Sequence, residues 1–162
     1  GRCGGKIIEF ENIPQDGTNF EQMTMIAIFQ YLIGNTDWSV SALHNMELLS
    51  PGDYKPPIAI PYDFDWTGLV NAPYAKPAEH LNISSVRQRL YRGYHRSYEQ
   101  LKPVIDLFNQ KKDEIYSLYR NFPYLEQKNK ERSLEYIDEF YEIINDKSLV
   151  EKIFIEGCRT DR

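Results

Sequence analysis

The sequence predicts a mainly α protein of the α+β class, a helical lobe with one central buried helix and a small β-hairpin. Three observations predict this fold. The stretch from Thr18 to Ile33 is apolar on nearly every face, which is typical of a helix inside a domain. Two short strand-like runs separated by a turn follow it, and they indicate a hairpin. From residue 84 onward, apolar residues recur at helical spacing among charged ones.

The length and the charge of the chain limit the classes of function. The 162 residues suit a single domain, with residues 1–17 as an N-terminal extension, although the chain is equally a candidate C-terminal fragment of a longer protein. The net charge of −5 disfavours nucleic-acid binding, which needs a basic surface. No apolar run is long enough to span a bilayer, and the compartment stays open. Cys3 and Cys158 form either one bridge or two free thiols.

The central helix has sequence signals at both ends. Thr18 and Glu21 match a capping box, in which each side chain accepts a free N–H group of the other residue. Gly34 is a natural stop for the helix. We expect Met23 and Phe29 to be nearly inaccessible within it.

The hairpin is predicted from two short apolar runs, Met46–Leu49 and Ile58–Tyr62, with a turn at Pro51–Asp53 between them. A further strand-like piece, Lys6–Phe10, precedes the central helix.

The second half of the chain predicts four amphipathic helices. Ser84 caps a short helix that runs to Tyr91, and Pro103 fits the first turn of a longer helix. The third helix carries Leu134–Ile144, and a capping box of Ser148 and Glu151 begins the last one.

Two polar clusters flank the hairpin. Asp37 and Asn45 precede its first strand, and Asp63 and Asp65 follow its second strand. Because a hairpin brings its flanks together, these four residues are expected to meet. Carboxylate and amide oxygens are ligands for a hard cation such as Mg²⁺ or Mn²⁺. The alternative is that each residue has a local role, as a turn residue or as a carboxylate bound by nearby main-chain N–H groups.

The order of these residues resembles the C-terminal lobe of protein-kinase-like folds. In that lobe an Asp, an Asn, a strand and a second Asp follow one another. The likeness is greatest to the atypical kinases of the HipA toxin and CotH spore-coat types, and it extends from Phe20 to about Gly68. It rests on the stretches Asn35-x-Asp37, His44-Asn45 and Pro61-Tyr62-Asp63.

The resemblance implies a role for each residue. Asp37 would be the catalytic base, and Asn45 and Asp63 would bind the metal ion. Asp65 would be an accessory metal ligand or would lie just outside the coordination shell.

The sequence departs from the kinase pattern in two respects. Seven residues separate Asp37 from Asn45, whereas the usual kinase loop has four between its Asp and Asn. No glycine-rich loop or strand-borne lysine fits in the 36 residues before Asp37. By the resemblance, ATP would therefore bind only with an N-terminal lobe that this sequence lacks.

A basic stretch follows in a chain that is acidic overall. Its guanidinium groups suit contacts with phosphate, and the alternative is a solvated helix face. We expect at least one of them, or Lys76, to lie within ion-pair distance of Asp63 or Asp65. The candidate phosphate-binding residues are Arg87, Arg89 and Arg92.

Three functions remain open. The first is a kinase-like C-terminal lobe with a site for a divalent metal and phosphate, which would be inactive alone and a phosphotransferase when completed by an N-terminal lobe. The second is a non-catalytic module that binds a protein on the same scaffold. The third is a metal-dependent hydrolase that uses Asp37, His44, Asp63 and Asp65. The partner is accordingly a phosphorylated ligand or a protein.

Overall fold

A computed structural model describes residues 6–9, 11–52 and 54–160 of the chain. The chain is 44% helical, and within these ranges it has five α-helices and one three-stranded antiparallel sheet. The predicted fold class, mainly α with a small β element, is therefore confirmed.

The described residues divide into two compact units. The first comprises the residues up to Tyr94 together with those from Cys158 onward, and the second comprises His95–Gly157. Two compact units can be parts of one domain or two separate domains. The prediction of a single domain therefore stays a prediction. Cys3 and Phe10 lie outside the described residues.

The first unit contains the sheet, whose strands lie in the order β1–β2–β3. The hairpin strands pair antiparallel, with Met46 opposite Pro61 and Leu49 opposite Ile58, as the sequence predicts. β1 belongs to the predicted N-terminal extension, but it pairs with β2 as an edge strand of the same sheet. The strands are β1 (Lys6–Ile8), β2 (Met46–Ser50) and β3 (Ile58–Pro61).

The helix of this unit is α1 (Phe20–Ile33), and its N-cap lies one residue after the predicted cap, Thr18. Asn19 is the N-cap, and its side chain accepts the N–H of Gln22 at 3.0 Å. The hydroxyl of Thr18 instead donates to the main-chain oxygen of Gln15 at 2.7 Å, so the predicted capping box with Glu21 is wrong. Gly34 ends the helix in the left-handed conformation, with φ 65°, as predicted.

Most apolar residues of α1 are buried, but Phe20 and Met25 are 41% and 37% exposed. Met23 is 1% exposed and Ile28 is fully buried. Phe29 is only partly buried, and its ring packs edge-on against Phe64 with the ring centres 5.8 Å apart. The expectation that Phe29 is nearly inaccessible was therefore wrong.

The second unit is built from four helices and a short π-helical segment. Its core is apolar and aromatic: Leu101, Ile137 and Phe140 are fully buried. The hydroxyl of Tyr141 donates to the main-chain oxygen of Phe108 at 2.9 Å and ties two of the helices together. The elements are α2 (Tyr98–Gln110), α3 (Lys112–Asn121), α4 (Gln127–Ile144), α5 (Lys147–Val150) and the π-helical segment Glu151–Glu156.

Two predicted helix starts in this unit are wrong because other side chains make the caps. Ser97 and Gln100 form a capping box at the start of α2, which places Pro103 inside the helix rather than in its first turn. Asp146 caps α5 by accepting the N–H groups of Ser148 and Leu149, so Ser148 is not the cap.

The predicted helix from Ser84 to Tyr91 does not form. The N–H and hydroxyl of Ser84 both donate to the side chain of Gln88, at 2.6 and 3.0 Å, and this local bonding replaces the first helical turn. Residues 85–88 form a turn, in which the N–H of Gln88 donates to the main-chain oxygen of Ser85 at 3.0 Å, and Arg89 then bonds to the end of α1, as described below.

The change Asn19→Ala tests which residue caps α1. Losing the side-chain acceptor leaves the Gln22 N–H without that partner, and we expect the free energy of unfolding to fall by about 1 kcal/mol. Chemical denaturation measures this change. The exposed Glu21 makes no cap in the structure, so Glu21→Ala should stay within about 0.5 kcal/mol of the unchanged protein. A larger loss for Glu21→Ala than for Asn19→Ala would contradict the observed cap.

Candidate functional site

The open end of the hairpin brings the two polar clusters together. Asn45 directly precedes β2 and Tyr62 directly follows β3. The main-chain N–H of Tyr62 donates to the main-chain oxygen of Asn45 at 3.1 Å, which extends the strand pairing by one step. Asp63 is the residue after Tyr62, so it lies near Asn45, as the predicted hairpin requires.

The loop between Asp37 and Asn45 folds into a small hairpin of its own. Ser39 and His44 exchange two main-chain hydrogen bonds, of 2.9 and 3.0 Å. Trp38 and Val40, each 2% exposed, anchor this loop in the core. The residues between Asp37 and Asn45 thus form a turn, and this turn brings Asn45 into contact with Asp37. The spacing of seven residues is compatible with direct contact between these two residues.

Both carboxylate oxygens of Asp37 are bound by neighbours. His44 Nε2 donates to Oδ1 at 2.8 Å, and Asn45 Nδ2 donates to Oδ2 at 2.9 Å. The same Asn45 nitrogen donates to the main-chain oxygen of Asp37 at 2.8 Å. Because a main-chain carbonyl only accepts, this bond fixes the amide orientation and turns the Asn45 side-chain oxygen away from Asp37.

Asp37 is also held from its own side of the loop. Its main-chain N–H donates to the side-chain oxygen of Asn35 at 2.9 Å, and Trp38 Nε1 donates to the main-chain oxygen of Asn35 at 3.2 Å. The side chain of Asp37 is still 36% exposed. The loop therefore presents a carboxylate of fixed orientation to solvent.

Asp63 and Asp65 form a pair of interacting carboxyl groups. The pKa of Asp63 is raised, chiefly by a side-chain hydrogen bond with Asp65 and then by the charge of Asp65, with a smaller contribution from the charge of Asp37. The main-chain N–H of Asp65 acts in the opposite direction. Tyr74 donates its hydroxyl to Asp65 Oδ2 at 3.0 Å, and this bond raises the pKa of Tyr74.

The backbone is in the left-handed region at three positions of the site. The φ angles are 48° at Leu43, 52° at Asn45 and 55° at Asp63. Asn and Asp tolerate this conformation better than other residues with a Cβ atom, whereas Leu seldom adopts it. The conformation at Leu43 shows that the surrounding structure imposes the turn.

The structure thus gathers the four predicted residues, Asp37, Asn45, Asp63 and Asp65. One observation favours the alternative, in which each residue has a local structural role. The main-chain N–H of Asp65 interacts with the Asp63 carboxyl group and lowers its pKa. Within the described ranges, no three His, Cys, Asp or Glu side chains are arranged to hold a metal ion. The catalytic and metal-binding roles of the four residues stay predictions.

The three arginines bond to the main chain near the end of α1. Arg89 donates to the carbonyls of Tyr31 and Leu32, at 3.1 and 3.3 Å. Arg92 donates to the carbonyl of Thr36, one residue before Asp37, and Arg87 donates to the carbonyl of Gly68 at 3.3 Å. These bonds support the loops that carry the site. Phosphate binding and ion pairing with Asp63 or Asp65 stay predictions for these side chains.

Sequence reasoning missed three contributors to the site. It considered His44 only as a metal ligand of a hydrolase, whereas His44 bonds to Asp37. The role of Asn35 had a local signal, because Asn commonly accepts the N–H two residues later. Tyr74 had no signal, since its contact with Asp65 depends on the path of the intervening loop.

A comparison of the chain with protein-family models, curated proteins and solved structures gave no match. No helix among the described residues combines the length and the hydropathy that crossing a bilayer requires.

The change Asp63→Asn tests the carboxyl pair through the pH dependence of stability. The pKa of Asp63 is raised above 3.8 in the folded state, so the folded protein holds this proton more tightly than the unfolded chain does. Protonated Asp63 therefore contributes to the free energy of unfolding. This contribution is fully present at pH values below 3.8 and is lost as the pH rises through the folded-state pKa. We expect Asp63→Asn to have a higher urea midpoint than the unchanged protein at pH 7. In acid, where Asp63 is protonated, the difference between the two midpoints should disappear.

The control for this measurement is Glu47→Gln, which removes an exposed carboxylate from β2 of the same hairpin. Asn tolerates the left-handed backbone at position 63 about as well as Asp does, so the change does not add backbone strain. An equal gain for both variants at pH 7, or a gain that is independent of pH, would contradict the carboxyl pair.

Proposed function

We propose that Asn45 and Asp63 bind a divalent cation together with a phosphorylated ligand, and that Asp37 acts as the base, as in the C-terminal lobe of a kinase-like fold. The observation that carries this proposal is the double hydrogen bond of the Asn45 amide nitrogen to the main chain and the carboxylate of Asp37. This bond orients a base and a ligand for a cation at the same time.

The first support is the fixed orientation of Asp37. A general base must lie within hydrogen-bond reach of the proton that it removes, and its orientation decides which proton that is. Asn45, His44 and Asn35 hold Asp37 from three directions while part of its side chain stays in solvent. An incoming hydroxyl group would therefore meet a carboxylate that needs little further ordering.

The second support is the set of oxygen atoms beside this base. The Asn45 amide oxygen and the Asp63 carboxylate are hard donors at the same end of the hairpin. Mg²⁺ commonly uses one or two carboxylates and completes its coordination with substrate phosphate and water, so a cage of three carboxylates is not needed. The hydrogen bond with Asp65 is the main cause of the raised pKa of Asp63, and the charges of Asp65 and Asp37 add to it. A cation would relieve this repulsion among the carboxylates.

The third support is the order of the parts along the chain. A buried helix, a loop with Asp37 and Asn45, a hairpin and then Asp63 is the order that the resemblance to HipA-type and CotH-type kinases implies. The longer spacing between Asp37 and Asn45 does not prevent their contact, because the Ser39–His44 turn takes up the difference.

A non-catalytic binding module is the second candidate, and one observation favours it. The main-chain N–H of Asp65 faces the carboxyl group of Asp63, which gives Asp63 a local structural role. The hydrolase is less well supported, since Nε2 of His44 is engaged with Asp37 at 2.8 Å.

Cation binding by the purified protein tests the proposal. We expect calorimetry to detect Mg²⁺ or Mn²⁺ binding that becomes tighter when inorganic phosphate is present, because phosphate oxygens complete the coordination of the ion. Asp63→Asn and Asn45→Ala should each weaken cation binding by about tenfold or more, which corresponds to about 1.4 kcal/mol. Glu47→Gln, the control from the same hairpin, should leave binding unchanged.

The result also separates the two candidates. If neither cation binds, with or without inorganic phosphate, the catalytic site is excluded for this chain and the binding module is favoured. If a cation binds equally well to Asp63→Asn and to the unchanged protein, the ion occupies another place and the proposed ligands are wrong.

A further inference from the structure

Arg92 reaches the candidate site through one main-chain carbonyl. Its guanidinium Nη1 donates to the carbonyl of Thr36, the residue directly before Asp37. Thr36 is 6% exposed, so this bond is partly shielded from solvent. A hydrogen bond from an ionised donor is stronger than one between neutral groups. The bond therefore ties the start of the Asp37 loop to the segment that carries Arg92.

The main chain on either side of Arg92 is itself fixed by hydrogen bonds. Gln15 is 5% exposed, and its Nε2 donates to the carbonyl of Arg92 at 2.9 Å. Its Oε1 accepts the N–H of Tyr94 at 3.3 Å. From the C-terminal end of the chain, the N–H of Arg159 donates to the carbonyl of Gly93 at 2.9 Å. These bonds give the guanidinium group of Arg92 a firm base.

The same segment lies directly against α1. A Cβ atom at Gly93 would be 2.2 Å from the hydroxyl oxygen of Tyr91 and 2.9 Å from the Cβ of Ala27. Both distances are well below van der Waals contact. Tyr91 and Ala27 are buried, at 4% and 3% exposure, so neither has room to move away. Only glycine fits at this position, and the close approach fixes the main chain beside Arg92 relative to the helix.

On the other side of Thr36, the hydrogen bonds continue to the proposed cation ligand. Asn45 Nδ2 donates to the main-chain oxygen and to Oδ2 of Asp37, at 2.8 and 2.9 Å. These bonds turn the side-chain oxygen of Asn45 away from Asp37. A displacement of the Asp37 main chain would break them and release the Asn45 amide from its orientation.

We propose that Arg92 is a positioning residue of the candidate site, which holds the Asp37 loop so that the Asn45 amide oxygen keeps the orientation a cation needs. The inference rests on the proposed function for the identity of the ligand. It assigns Arg92 to the support of the site and not to contact with phosphate. Removing a group that orients a metal ligand from outside the coordination shell typically weakens metal binding by about 10–100-fold.

The side-chain amide signals of Asn45 in a proton–nitrogen NMR spectrum test the positioning without any cation. Because this nitrogen donates two hydrogen bonds, its proton signals should differ from those of a free amide. We expect Arg92→Gln to move them toward the positions of a free amide. Arg92→Lys should restore them, because a lysine is also a cationic donor and a single carbonyl does not need the guanidinium fork.

Gln15→Met is a second variant that leaves the arginine in place. It removes the two hydrogen bonds that hold the main chain on either side of Arg92. We expect it to shift the Asn45 amide signals in the same direction as Arg92→Gln does. This variant also tests the proposal if Arg92→Gln does not fold.

Calorimetry with Mn²⁺ alone measures the effect on the cation. We expect Arg92→Gln to weaken Mn²⁺ binding by about tenfold and Arg92→Lys to recover most of the affinity. The control is Asn19→Ala, which removes the cap at the opposite end of α1. It should lower the midpoint of thermal unfolding and leave both the Asn45 signals and the Mn²⁺ affinity unchanged.

Three results would overturn the proposal. The first is unchanged Asn45 amide signals in folded Arg92→Gln or, if that variant does not fold, in Gln15→Met. The second is an equal effect of Asn19→Ala, which would show a general loss of stability. The third is a loss of affinity that appears only with inorganic phosphate, which would make Arg92 a phosphate contact. If the unchanged protein binds no cation, the proposed function is wrong, and the NMR comparison alone decides whether Arg92 positions the loop.

Discussion

The need to satisfy the carbonyl groups at the end of α1 organises the first unit. The last four carbonyls of an α-helix have no partner within the helix. Here the Gln30 carbonyl accepts the N–H of Asn35, and the Tyr31 and Leu32 carbonyls accept Arg89. The Ile33 carbonyl accepts the N–H of Leu69 at 3.0 Å. Two segments that are distant in sequence, around residues 69 and 89, must therefore return to the same helix end.

This constraint places the candidate site. The loop of Asp37 begins where α1 ends, and Arg92 holds the carbonyl of Thr36 directly before it. Past Asp65, the N–H of Gly68 donates to the carbonyl of Gly34 at 3.0 Å, so the second acidic segment is tied to the helix end as well as to β3. The hairpin alone would bring Asn45 near Asp63. The helix end adds the second attachment that fixes both loops.

The sequence predicted the parts of the structure that local patterns determine. The buried helix, its stop at Gly34 and the hairpin follow from apolar periodicity and turn residues, and the approach of Asn45 to Asp63 follows from the hairpin. The contact of Asp37 with Asn45 instead depends on the Ser39–His44 turn, which was not predicted. The segment around Arg89 was mispredicted as a helix. The guanidinium groups of Arg89 and Arg92 bond to carbonyls more than fifty positions earlier in the chain, and such tertiary bonds override local propensity. Pro103 was misplaced because the capping box at Ser97 defines a helix that continues past it.

Unfavourable features of the first unit concentrate around the same loops. Gln30 is 1% exposed and Asn35 is 2% exposed, yet both side-chain amide atoms of Gln30 and Nδ2 of Asn35 have no hydrogen-bond partner among the described residues. A buried polar group without a partner costs about 1–3 kcal/mol. The left-handed backbone at Leu43 adds strain to the adjacent turn. The fully buried Ile28 and the nearly buried Trp38, on either side of this region, supply packing that offsets these terms. A loop that keeps an unfavourable conformation against a well-packed core is more typical of a binding or catalytic segment than of a connection that only joins two elements.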